Sequence, residues 1–259
     1  REKDYLIYNL SSLYNSVKIK SNQIKIIENQ DSYNFEGDIS NPKSKINLSK
    51  FSTFLNNDIK SFLKNELIVS SNNKFSFNLN KKIKFSDINI QSKISLEELQ
   101  YSNDIFKRFF PEYKKEIKLE NNSIKFDYKN GNYQINGKSK VNINGDIDDI
   151  SYSLKKIKKD FFYDLNFELI NSAVNFKILN YTKNKNDKSL LELSGKYLAS
   201  KNMNLEKIKF IHDKNFINIQ NLKINRNKKI KSIDNIKVSV FNNNEKLNKI
   251  DIKKNKKDY

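Results

Sequence analysis

Few residues of this 259-residue chain have the type and spacing to do covalent or metal chemistry. The only histidine, His212, stands beside Asp213 in an expected turn between the Ile208–Phe210 and Phe216–Ile219 strands. A lone imidazole with no cysteine and no second histidine is a poor start for a zinc site or a triad, and it reads as a surface residue. Asp146, Asp148 and Asp149 cluster after Gly145. They offer the hard oxygens that calcium prefers, but without the Gly and bidentate Glu of a calcium loop they read as turn residues. Glu97 and Glu98 follow Ser95 and read as a helix start. The glycines (37, 131, 137, 145 and 195) are isolated, so no phosphate-cradling loop is present. The absence of cysteine excludes disulfides, thiolate nucleophiles and thiolate metal sites. The expectation is a protein that is not an enzyme, with no catalytic residues, no metal and no cofactor.

What the chain does have is a one-sided stripe. From Tyr133 to Gly145 the large residues at odd positions are apolar (Tyr133, Ile135, Val141, Ile143), and the even positions are polar. Strand side chains alternate between faces, so such a segment has one greasy side and one wet side. The same texture recurs at Phe75, Phe77 and Leu79, at Leu165, Phe167 and Leu169, and at Leu191 and Leu193. These residues are the candidate lining of a lipid-binding face. Putting charges at Ile135 and Phe167 is expected to abolish lipid crosslinking without unfolding the sheet.

Asn-Gly between alternating runs is a strong hairpin signal, and it occurs at Asn130–Gly131 and Asn144–Gly145. The stripe changes parity at Asp87, as a bulge or a turn would make it do. Gly137 and Gly195 lie inside striped strands, where glycine often permits a bend. Pro42 reads as a turn, and Val174, Phe176 and Ile178 as a strand. Phe51–Leu67 reads as a looser patch with a helical turn. Ser95–Leu99 reads as a capped short helix, and Asp104–Phe110 as a second one stopped by Pro111. The first fourteen residues are ambiguous between strand and short helix.

Hydrophobic residues make up 37% of the chain, low for a globular protein, yet 18 Phe and 13 Tyr argue against disorder. Alanine is confined to Ala173 and Ala199, which removes the best helix former. The net charge of +19 comes almost wholly from lysine; Arg1, Arg108 and Arg226 are the only arginines. A phosphate reader exploits the bidentate arginine fork, and these lysines are interleaved along polar strand faces, so nucleic acid is not an expected partner. No stretch approaches the run of about 18 apolar residues that a spanning helix needs.

The expected fold is mainly all-β: a long antiparallel meander curled into an open, groove-like sheet with one or two short helices. The expected organisation is a single elongated β-groove region over 1–245, a fragment of a larger protein, followed by a Lys-rich frayed tail over 246–259. A membrane β-barrel would want regular strands of about ten residues with aromatic girdles near both ends, and the stripes do not follow that plan.

The segments Leu191–Tyr197, Leu205–Phe210 and Phe216–Ile224, with the strand-plus-glycine runs Asn132–Gly137 and Tyr33–Gly37, resemble the AsmA-like superfamily of bacterial envelope proteins, especially its YhdP-type members. The resemblance covers most of the chain as texture, with no short diagnostic motif. It implies a repeating β-groove in the periplasm of a Gram-negative cell, tethered to the inner membrane by a segment outside this chain. The groove would carry phospholipid by its acyl chains between inner and outer membranes, in outer-membrane lipid homeostasis. The alternative from the residues alone is a structural β scaffold of the envelope whose core is self-filled.

Overall fold

The computed structural model describes residues 3–14, 17–47, 66–199, 202–227 and 229–254. The strands are β1 (Lys3–Tyr14), β2 (Val17–Glu28), β3 (Ser32–Asn47), β4 (Glu66–Asn80), β5 (Phe85–Tyr101), β6 (Ile117–Lys129), β7 (Asn132–Ile143), β8 (Asp146–Ile157), β9 (Asp160–Leu169), β10 (Val174–Phe176) and β11 (Tyr181–Lys183). They continue as β12 (Ser189–Tyr197), β13 (Met203–His212), β14 (Asn215–Ile224), β15 (Ile230–Ser232), β16 (Asn235–Phe241) and β17 (Leu247–Lys253). All but β10 and β11 belong to one 15-stranded sheet whose order follows the sequence, with β15 as a side partner of β14. Neighbouring strands pair antiparallel, and the sheet is open: among the described residues β1 pairs only β2, and β17 only β16. The chain is therefore an all-β antiparallel meander, not closed into a barrel.

The turns follow from residue type. Asn130–Gly131 and Asn144–Gly145 have positive φ at both central positions (47° and 86°; 53° and 100°), the conformation that matches the twist of a two-residue hairpin. The parity change at Asp87 is a bulge: its φ is 51°, and the β4–β5 register slips between Ser76 and Asn78. Gly195 sits where the β12–β13 register slips, and a Cβ there would lie 2.2 Å from the Asn204 carbonyl oxygen.

Several local expectations give way to strand pairing. Ser95–Leu99 is not a helix. It belongs to β5, because Ser95 and Leu96 pair with Ser70 and Val69 of β4, and a long ladder outweighs one capping residue. Pro42 makes no turn; it lies within β3 at a slip of register between Asn41 and Ser44, where a missing N–H is tolerated. Residues 1–14, where described, form β1. Leu247–Lys253, placed in the frayed tail by its lysines, is an ordered strand in unbroken register with β16. Asp104–Arg108 is a 3-10 helix ahead of Pro111. Of the looser patch from Phe51 to Leu67, residues 51–65 lie outside the described residues.

The chain divides into two compact units: Arg1–Gln100 with Leu119–Gly137, and Tyr101–Lys118 with Lys138–Tyr259. Each carries part of the stripe.

Candidate functional site

In the first unit the register places Ile24 beside Gly37, Ile26 beside Phe35, Phe35 beside Phe77, Tyr33 beside Leu79, and Phe75 beside Ile90. Opposed residues share a face, so these side chains make one apolar surface. Phe35 and Phe77 stack with centroids 4.8 Å apart and planes 13° apart; Phe75 and Phe85 flank Phe77 at 5.9 and 5.4 Å. The predicted lining residues Phe75, Phe77, Leu79, Tyr133 and Ile135 are all half-buried. Among the described residues of this unit, only Val17 and Leu96 are fully buried hydrophobics.

The reverse face of the same strands is polar. Lys25, Glu36, Ser76 and Asn89 lie in one row, and Asp38, Lys74 and Gln91 in the next. Two depressions of this unit are lined from that wet side. One of 380 Å³ is lined by Lys25, Glu36, Asp38 and Lys74 among others, and one of 590 Å³ also reaches Lys93, Lys125 and Asp127.

In the second unit two apolar rows cross the sheet. Leu165, Leu193, Ile208, Ile219, Ile236 and Ile252 form one, while Phe167, Leu191, Phe210, Ile217, Val238 and Ile250 form the other. Tyr152 and Ile150 extend them on β8. The face ends in a polar row of Ser189, His212 and Asn215 beside Leu169.

That end is covered by the chain itself. The predicted strand around Val174 is only the short β10, paired with β11 in a hairpin off the main sheet. Ile178, expected to continue the strand, falls in a 3-10 turn and is fully exposed. The hairpin places Phe176 5.0 Å and Tyr181 6.2 Å from the Phe210 ring. The segment after β5 adds Phe110 at 6.3 Å from Phe167, and the Phe109 carbonyl accepts from the Asn175 N–H at 2.7 Å. From the turn between β16 and β17, the Asn243 side-chain oxygen accepts from the Thr182 N–H at 2.9 Å.

Burial divides the predicted lining. Val141, Ile143, Phe167 and Leu169 are buried to 2%, 1%, 7% and 1% exposure, whereas Leu165, Leu191 and Leu193 remain half-buried. Phe167 therefore sits in a packed core, and a charge there would be a folding lesion; the expectation that it leaves the sheet folded does not suit its surroundings.

A buried polar lock pins the cover, and sequence reasoning missed it. The Asp148 carboxylate accepts from the N–H groups of Ile170 and Asn171, each at 2.7 Å, and of Ser172 at 2.9 Å. Lys183, fully buried, donates to the carbonyls of the same turn, Ile170 and Ser172, at 2.8 Å each. Burial pushes the Lys183 ammonium below its ordinary range, opposed by Asp148, Asp187 and Asp146. The three aspartates read as turn residues lie in β8 and diverge: Asp148 into the lock, Asp149 to Lys140 at 2.6 Å, Asp146 to Lys185 at 2.9 Å. No signal marked Lys183 among the many lysines, but the alternation of β8, which buries Asp148 beside Ile150, was readable.

His212 ends β13 instead of lying in the turn, and its Nδ1 meets the Tyr181 hydroxyl. Its Nε2 lies 3.9 Å from Asp187. Burial, with Asp187 and Asp213 nearby, raises the Tyr181 phenol well above its ordinary range. The phenol therefore stays protonated, the opposite of an activated nucleophile. Among the described residues no group of three or more His, Asp or Glu side chains could hold a metal ion.

No family model, curated protein or solved structure matches the chain.

Proposed function

We propose that this chain holds lipid hydrocarbon on the apolar face of its open sheet, as a periplasmic segment of an AsmA-like protein that moves phospholipid between inner and outer membranes. The observation that carries the reading is the half-buried aromatic surface of Phe35, Phe75 and Phe77, over which no fully buried hydrophobic layer lies among the described residues. Burying such surface is worth roughly 25 cal/mol per Å², whether the cover is a side chain or an acyl chain. The lysines of the wet face and edges would keep company with head groups and water.

Acyl chains on this reading lie against Phe75, Phe77, Leu79, Leu165, Leu191 and Leu193, and not against the sealed Val141, Ile143, Phe167 and Leu169. A photoreactive phenylalanine analogue at Phe77 or Leu193 should give phospholipid adducts. The same analogue at Ser76, on the wet face of β4, should give none. Equal labelling at Ser76 and Phe77, or none at Phe77 and Leu193, overturns the proposal.

A self-filled envelope scaffold is the second reading. It is favoured by the aromatic cover over Phe167 and Phe210. It predicts that purified chain carries no phospholipid in native mass spectrometry.

A further inference from the structure

The two edges of the sheet differ in how they are protected. β17 spaces Lys249, Asp251 and Lys253 along its length, the usual defence of an exposed edge. β1 has only Lys3 and Asp4, at one end, and then a run of ten uncharged residues. Its register sets Tyr5 and Ile7 beside Ile26 and Ile24 on the apolar face. It sets Leu6, Tyr8 and Leu13 beside Lys25, Gln23 and Lys18, on the other side. Those three are 46%, 59% and 73% exposed.

Lipid on the apolar face would not cover Leu6, Tyr8 and Leu13. A surface that packed on the wet face would have to bury Lys25 and Lys18 with them. A strand added along β1 covers both sides at once, because its side chains alternate in step with those of β1. It also runs along the side of β1 that faces away from β2.

We infer that β1 is a self-association edge, and that its partner is β1 of a second copy, paired antiparallel. The charges of β1 cancel, so two such edges meet without the repulsion that the remainder of a +19 chain imposes. Pairing β1 with β17 would be head-to-tail and would run on into a filament, whereas β1 with β1 closes as a two-fold dimer. The strip is about 40 Å long at roughly 3.3 Å per residue. Its seven large apolar side chains, about half exposed and of roughly 200 Å² each, offer about 700 Å², near the 800 Å² per partner of a standard interface. The two-fold axis stands normal to the sheet, so both apolar faces look the same way. The inference does not depend on what those faces hold.

Analytical ultracentrifugation of the chain at micromolar concentration should show a dimer. The double variant Leu6→Lys/Tyr8→Lys should weaken dimerisation roughly 100-fold or more by setting like charges in the seam, with the β circular-dichroism signal unchanged. Ile250→Lys on β17 should leave the dimer intact. A monomeric parent chain overturns the inference, including one whose β1 amides resist exchange because another strand covers them. So does a dimer that survives the double variant, or one that Ile250→Lys dissolves. If the double variant loses its β signal, Leu13→Lys, near the far end of the strand, supplies the same reading.

Discussion

Asp148→Ala removes the acceptor at the centre of the lock. Three N–H groups, of Ile170, Asn171 and Ser172, lose charge-assisted bonds of 2.7–2.9 Å. Each such bond is worth about 1.5–3 kcal/mol net, but the three share one carboxylate and one turn, so they do not add. Lys183, with no exposed surface, also loses a nearby countercharge. Breaking one partner of a buried charged pair costs about 3–5 kcal/mol, and that is the expected loss for Asp148→Ala. The neighbour gives the contrast. Asp149 pairs with Lys140 at 2.6 Å, but both side chains are about half exposed. Asp149→Ala should cost about 0.2–1 kcal/mol. Urea unfolding followed by tyrosine fluorescence, which no tryptophan obscures, measures both. Hydrogen exchange at Ile170–Ser172 then shows whether the hairpin cover loosens first. Equal midpoints for the two variants, or a loss under about 1 kcal/mol for Asp148→Ala, would refute the lock as the fastener of the cover.

Gly195→Ala should destabilise by about 1–3 kcal/mol in the same assay, because its methyl would meet the Asn204 oxygen at 2.2 Å and the Tyr163 hydroxyl at 2.7 Å. Glu192 is held below the usual carboxylate range, first by its bond to Lys207, at 2.7 Å, and then by charge from Lys207 and Lys209. Its folded value is depressed, so its stabilisation is present above the ordinary glutamate range and is lost as pH falls through the folded value. Glu192→Gln should therefore flatten the acid limb of a stability–pH curve. Phe167→Asp should unfold the second unit, at a cost of about 3–5 kcal/mol, whereas Leu193→Asp should keep the circular-dichroism spectrum and lose lipid labelling. Similar spectra for the two would contradict the division of the stripe into sealed and open parts.

Strand existence was legible because the alternation is strict. Leu165, Phe167 and Leu169 can face one side only, and the Asn-Gly pairs admit few turns other than the ones observed. The bulge at Asp87 was legible as a parity change for the same reason. The cover over Phe210 was not, because Val174–Phe176 has the same local pattern as a sheet strand. What takes it off the sheet is a set of long-range bonds: Lys183 to Ile170 and Ser172, Thr182 to Asn243, Asn248 to Leu179. None of these leaves a periodic trace. Ser95–Leu99 fails in the converse way, since a good cap followed by two glutamates is a local preference, and β4 offers it a partner strand. The stripe marked the apolar face but could not say where the chain covers it.

That distinction decides what each part of the face can still gain. Side chains in a row shield one another, since opposed Cβ atoms stand about 4.5–5.5 Å apart, and only their tips remain in water. A tip of about 50 Å² on a half-buried Phe is worth roughly 1.2 kcal/mol when covered. Six such tips, from Ile24, Ile26, Phe35, Phe75, Phe77 and Leu79, come to roughly 7 kcal/mol, the scale of micromolar binding before the cost of ordering the ligand. Phe210 at 2% exposure and Leu169 at 1% have no tip left to offer. On the proposed reading, a hydrocarbon guest would be confined by energy to the uncovered rows, and the aromatic cover marks where those rows end in the second unit.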